Sequence, residues 1–104
     1  MKITDWLYIL DEHHNPVPVT DMLDWAMKFE NDQTRIVAQT DVNDEIRVST
    51  VFLGIDSSFG MAPRMFETMI FGGEHNLSQW RYATWDEAVA GHQAAIEKIF
   101  EVSQ

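Results

Sequence analysis

Cysteine is absent from the 104-residue chain, which excludes disulfides and thiol chemistry. Basic residues are few, since 7 lysines and arginines stand against 17 aspartates and glutamates, giving a formal net charge of -10 at pH 7. A field of that sign disfavours direct contact with nucleic acid and with anionic membranes, and it favours basic protein partners. We therefore expect no direct nucleic-acid binding and no membrane association.

Long hydrophobic runs, internal repeats and linker-like segments are also missing. No stretch approaches the length of a transmembrane helix. The opening residues, MKITDWLYIL, carry a charge at Asp5 and only a very short apolar run, which is unlike a signal peptide. The length fits one domain over residues 1–104, and the default expectation is a soluble cytoplasmic protein.

What remains is a pattern of short β-rich segments and two helical segments. The last helix is the clearest, because Thr84 and Glu87 match a capping box and an apolar stripe follows them. The stripe comprises Trp85, Val89, His92, Ile96 and Ile99. An earlier helix is expected after an N-cap at Thr20, and strands are expected over 6–10, 35–41, 45–55, 65–71 and 79–83. This order predicts an α+β fold: an antiparallel sheet of four to five strands with two helices packed on one face.

The hairpin formed by the strands 35–41 and 45–55 allows its register to be predicted. A three-residue loop over 42–44 places apolar residues beside one another on one face. The pairs expected from that loop are Thr40 with Ile46, Ala38 with Val48 and Ile36 with Thr50.

The segments 51–55 and 65–71 are apolar on both faces, which is typical of strands covered on both sides. Two helices cover only one face, so the other face needs another protein chain or the N-terminal hairpin formed by the strand 6–10 and a brief edge strand over 17–19. We therefore expect a homo-oligomer. The residues predicted for this interface are Val51, Leu53, Ile55 and Met69.

A pocket between the loops 56–64 and 72–78 is the alternative, and it would make the protein a small-ligand binder or hydrolase. The residues predicted to bind the ligand are Asp56, Phe59, Glu67, His75 and Arg81. Glu67 lies among apolar residues, where burial would raise its pKa and suit acid–base chemistry. The other interpretation is a structural ion pair with Arg47, Arg64 or Arg81, and the sequence leaves both open.

No metal site, cofactor or catalytic residue is predicted. The adjacent histidines His13 and His14 point in opposite directions on a strand, and no ligand spacing links them to His75. His92 lies within the apolar stripe of the last helix, which favours a packed residue with one hydrogen-bonded nitrogen.

The stretch from Ser49 to His92 carries the segments STVFLGID, FETMIFGG and WRYATWDEAVAGH. In these segments the chain resembles a family of small proteins encoded by bacteriophages and prophages. The resemblance implies a phage origin and action in the cytoplasm of the host cell. It brings no established activity with it, but small acidic phage proteins often bind and disable host proteins.

These observations favour a non-catalytic binding protein whose partner is a protein of the host. A minor virion assembly factor is a further alternative. An acidic surface that imitates nucleic acid is also physically allowed, but the acids are not clustered in the sequence, so only a structure could show the regular spacing that it needs.

Overall fold

The computed structural model describes residues 7–19, 21–31, 35–55 and 63–101. Its elements, in chain order, are strands β1 (Tyr8–Leu10) and β2 (Pro16–Pro18), helix α1 (Met22–Asn31), strands β3 (Ile36–Asp41), β4 (Arg47–Phe52), β5 (Phe66–Phe71) and β6 (Gln79–Tyr82), and helix α2 (Trp85–Ile99). Among the described residues, no helix combines the length and the apolar character needed to cross a membrane.

The four long strands form one antiparallel sheet in the order β3-β4-β5-β6, while β1 and β2 form a separate two-stranded sheet. Each strand of the larger sheet pairs with its neighbour in sequence, so the sheet is a simple meander. Helix α2 packs on one face of this sheet. The predicted α+β class is therefore confirmed.

The predicted register between β3 and β4 is wrong by two residues. Thr40 pairs with Val48 instead of Ile46, and Ala38 pairs with Thr50 instead of Val48. A shift of two residues leaves the side chains of residues 38–41 and 47–50 on their predicted faces, because side chains alternate along a strand.

The turn between β3 and β4 explains the shift, because Asn43 stabilises a loop that is longer than the three residues predicted. Oδ1 of Asn43 accepts hydrogen bonds from the backbone N–H groups of Glu45 and Ile46, at 2.8 and 2.9 Å. Asparagine commonly closes turns in this way. At the other end of the β3–β4 pair, an irregularity in the register places Ile36 opposite Val51, whereas the predicted partner was Thr50.

Helix α2 begins as the sequence predicted. The Thr84 side chain accepts a hydrogen bond from the N–H of Glu87, and the Glu87 side chain accepts one from the N–H of Thr84. The buried side chains of the helix are Ala88, His92 and Ala95. Trp85, Ile96 and Ile99 of the predicted stripe pack against the core, whereas Val89 is exposed.

The core lies between α2 and the sheet, in two clusters. One contains Phe52, Met65, Phe66 and Ala88, and the other contains Val48, Ile70 and Ala95. Small residues on the helix allow a close approach, since a Cβ at Gly91 would overlap the ring of Tyr82.

The N-terminal hairpin closes one end of this core. Tyr8 and Leu10 pack against the first cluster, and the N–H of Tyr8 donates to the carbonyl of Gly54 at 2.8 Å. The ring of His14 stacks on Trp85, with ring centres 3.8 Å apart and planes 11° from parallel. The hairpin is thus held at both ends against the main body.

Helix α1 is capped by Asp21, whose Oδ1 accepts the N–H of Leu23 at 2.9 Å. The predicted cap, Thr20, lies outside the described residues. The indole N–H of Trp25 donates to the carbonyl of Tyr8 at 3.1 Å, which joins α1 to β1.

Candidate functional site

The face of the sheet opposite α2, called the reverse face below, carries most of the predicted site residues. Its members follow from strand alternation, because the intervening residues are buried beneath α2 or packed against its core clusters. The reverse face comprises Gln39, Asp41, Arg47, Ser49, Val51, Glu67, Met69, Phe71, Gln79 and Arg81.

Glu67 and Arg81 lie side by side on this face. They occupy paired positions on β5 and β6, and Nε of Arg81 donates to Oε2 of Glu67 at 3.0 Å. The Glu67 side chain is only 13% exposed, whereas that of Arg81 is 45% exposed. The arginine therefore neutralises a largely buried carboxylate, and of the three arginines proposed from the sequence Arg81 is its partner. Val51 of β4 pairs with Glu67 from the other side, so Val51, Glu67 and Arg81 form one row across three strands.

A second ion pair lies across β3 and β4. The Arg47 guanidinium donates to both carboxylate oxygens of Asp41, at 2.7 and 3.2 Å. These hydrogen bonds lower the pKa of Asp41 below its usual range and raise the pKa of Arg47. Between the two ion pairs, the Gln39 amide donates to Oγ of Ser49 at 3.2 Å.

The apolar residues predicted for an interface are distributed unevenly. Val51 and Met69 lie on the reverse face and are half-buried, and Phe71 beside them is 43% exposed. Leu53 follows the end of β4, where its N–H donates to the carbonyl of Met65. Ile55 forms a bridge with Leu7 of the N-terminal segment and is exposed.

The residues predicted for a pocket are only partly brought together. Glu67 and Arg81 are in contact, but His75 belongs to the loop after β5, at the far end of that strand. A strand rises about 3.3 Å per residue, so the four residues from Glu67 to the end of β5 span roughly 13 Å. Asp56 and Phe59 lie outside the described residues. Within the described ranges, no group of three or more His, Cys, Asp or Glu side chains is placed to hold a metal ion.

A buried polar cluster under α2 was missed by sequence reasoning. Nδ1 of His92 lies 2.7 Å from Oγ1 of Thr50, and Nε2 lies 2.9 Å from Oγ1 of Thr40. The Thr50 hydroxyl also bonds that of Thr68, so the cluster joins α2 to three adjacent strands. The prediction of a packed histidine is confirmed, but both ring nitrogens are hydrogen-bonded, not one.

The surroundings of His92 in this cluster indicate that it stabilises the fold. His92 is 6% exposed, and its hydrogen-bond partners are two hydroxyl groups without charge. Burial disfavours the charged imidazolium and lowers the pKa of His92 below its usual value of 6.5. A neutral ring has one donor and one acceptor, which two hydroxyls can satisfy in either tautomer.

The lowered pKa predicts that folding stability depends on pH. His92 binds a proton more readily in the unfolded chain than in the folded chain. The contribution of the neutral His92 ring to the free energy of unfolding is therefore fully present above about pH 6.5. The contribution is lost as the pH falls from there to the folded-state pKa, by at most about 1.4 kcal/mol per pH unit. Urea unfolding between pH 5 and 8 measures this dependence. His92→Gln, which cannot titrate, should flatten the curve, and an unchanged slope would show that other groups cause it.

The chain matches no protein-family model, and no match to it was found among the curated proteins or the solved structures.

Proposed function

We propose that the protein acts by binding another protein, without catalysis, through the reverse face of its sheet. The observation that carries the proposal is the set of side chains on this face. Phenylalanine, methionine and arginine are enriched where proteins meet, and the face presents Phe71, Met69, Arg47 and Arg81 together.

The charges on the reverse face support self-association. Its four charged residues form the pairs Asp41–Arg47 and Glu67–Arg81, so the face has a net charge of zero. The remaining residues then account for the whole formal charge of -10. Two copies of such an acidic chain repel each other least where they meet through a neutral surface.

The ion pairs also reduce the entropic cost of binding. Long side chains lose rotational freedom when an interface forms, at roughly 0.5–1.5 kcal/mol each. Arg47 and Arg81 are already held by carboxylates on rigid strands. The face can therefore present its arginines and its apolar residues with little rearrangement.

The resemblance to phage and prophage proteins suggests a further partner besides a second copy of the chain. This resemblance supports a phage origin for the chain, action in the cytoplasm of the bacterial host, and a host protein as the target. The formal charge of -10 favours a target with basic residues near its binding site.

Self-association is tested by size-exclusion chromatography with light scattering. We expect an apparent mass above the 12.0 kDa of one chain, and we expect Phe71→Glu to restore the monomer by placing a charge in the contact. The matched control is Val89→Glu, which makes the same kind of change at an exposed position on α2. A wild-type chain that stays monomeric up to millimolar concentration would contradict self-association through this face.

A further inference from the structure

The side chains of the reverse face form rows that cross the sheet. Paired residues on neighbouring antiparallel strands stand side by side on one face, so the pairing of the strands defines each row. In order along the strands, the rows are Asp41, Arg47 and Phe71; Gln39, Ser49, Met69 and Gln79; and Val51, Glu67 and Arg81. Every row has one member on β4 and one on β5, which are the two central strands of the sheet.

The order of the side chains decides how a second copy can meet this face. Two copies that meet through the same face are related by a two-fold axis in the plane of the contact. Sheets in an aligned sandwich keep their strands within about 30° of each other, so this axis runs either along the strands or across them. An axis across the strands would place Phe71 of one copy over Glu67 of the other. The face of an aromatic ring is negative and repels a carboxylate, so the side chains favour the axis along the strands.

An axis along the strands, between β4 and β5, places Arg47 of one copy on Phe71 of the other. These residues are partners in the same row, and the axis exchanges their two strands. The hydrogen bonds from Arg47 to Asp41 lie in the plane of the guanidinium, so the flat sides of this group stay available for an aromatic ring. Phe71 is 43% exposed and supplies that ring, and Asp41 balances the charge that Arg47 brings into the contact.

The other rows are compatible with the same axis. The middle row places Gln39 against Gln79, and both side chains are exposed amides that can donate and accept hydrogen bonds with each other. In the last row, Glu67 meets Val51 of the other copy. The Glu67 carboxylate is already largely buried and is neutralised by Arg81 of its own chain, so the contact withdraws little further charge from water.

We propose that the protein forms a dimer in which Phe71 of each copy stacks on Arg47 of the other, about a two-fold axis that runs along β4 and β5. The proposal rests on the self-association proposed above and assigns its register and its main contact. The symmetry repeats this contact on each side of the axis, so one substitution removes both of its occurrences.

Mixed dimers of two variants test this contact, and native mass spectrometry distinguishes them because the variants differ in mass. Phe71→Ala lacks the ring, while Asp41→Asn/Arg47→Gln lacks the guanidinium and keeps the reverse face neutral. Each variant alone loses both occurrences of the contact, so its dissociation constant should rise at least about tenfold. A dimer of one variant with the other keeps the ring of one chain on the guanidinium of the second, and it should be enriched beyond random pairing.

The matched control is Phe71→Ala mixed with the wild type. That mixed dimer keeps one occurrence of the contact, midway between the two homodimers, and should form at random. Circular dichroism and thermal unfolding check that both variants are folded.

Other results would overturn the proposal. A wild-type dimer whose variants show no enrichment of the mixed dimer would mean that Phe71 does not meet Arg47, and it would leave self-association intact. Dissociation constants unchanged in both variants would place the contact on another surface of the chain. A wild-type chain that stays monomeric would contradict both this proposal and the self-association proposed above.

Discussion

Replacement of His92 by leucine is expected to lower the free energy of unfolding by about 1–4 kcal/mol. The change removes the ring nitrogens that bond the half-buried hydroxyl of Thr40 and the buried hydroxyl of Thr50, although Thr50 keeps its bond to Thr68. Each buried polar group that loses its partner costs about 1–3 kcal/mol. Urea unfolding at pH 7.5, where His92 is neutral in both states, measures the loss without a contribution from titration.

The cluster also predicts a rescue. Removal of both partners of a buried hydrogen bond is far less costly than removal of one. The quadruple variant Thr40→Val/Thr50→Val/Thr68→Val/His92→Leu, which also removes the buried Thr68 hydroxyl that bonds Thr50, should therefore be more stable than His92→Leu alone, although it departs further from the native sequence. If the valine substitutions lower the free energy of unfolding further, by amounts that add to the loss from His92→Leu, the threonine hydroxyls do not depend on His92. That result would contradict the hydrogen-bonded cluster described here.

The second large effect is expected at Gly72, in the loop between β5 and β6. Its φ angle is +92°, and a Cβ there would overlap the backbone carbonyl of Glu45 in the turn between β3 and β4. An L-residue in this region of φ costs about 1–2 kcal/mol, and overpacking against fixed atoms costs about 1–3 kcal/mol more. Gly72→Ala should thus lose about 2–5 kcal/mol in the free energy of unfolding.

Gly73 provides the control for this prediction. Its φ angle is +73°, so an alanine there has comparable backbone strain. The nearest atom to its added Cβ is Cδ1 of Ile46, at 2.7 Å, and the end of an isoleucine side chain can rotate away. Gly73→Ala should therefore lose only about 1–2 kcal/mol in urea unfolding. Equal losses at the two glycines would mean that the two turns are not in direct backbone contact.

Features that depend on neighbouring residues were predictable from the sequence. The capping box of α2 joins Thr84 and Glu87, which are three residues apart, and the structure contains both of its hydrogen bonds. The faces of residues 38–41 and 47–50 were also predictable, because alternation of side chains does not depend on the exact partner. Those of Ile36 and Val37 were not, since the register irregularity between Ile36 and Ala38 interrupts the alternation and Val37 packs against the core. The turn after β3 was not, since the Asn43 side chain stabilises a longer loop than hydrophobic matching alone favours.

Features that depend on long-range pairing were only partly predictable. The acid at Glu67 called for a basic partner, but three arginines were available, and only the register of β5 with β6 places Arg81 opposite it. The partners of His92 lie 42 and 52 residues away in sequence. Threonine is also an ordinary strand residue, so nothing marked Thr40 and Thr50 as its partners before the strands were aligned.

Site-specific photocross-linking tests the central claim, that the reverse face binds a protein. A photoreactive phenylalanine analogue at position 71 replaces an exposed aromatic residue on that face, and the same analogue at position 93 places it on the exposed side of α2. Because the proposed target is a host protein, each variant chain is irradiated in bacterial cell extract. We predict discrete covalent adducts, with a second copy of the chain or with a host protein, from position 71 and not from position 93. Adducts that are absent at position 71, or identical at both positions, would contradict the claim.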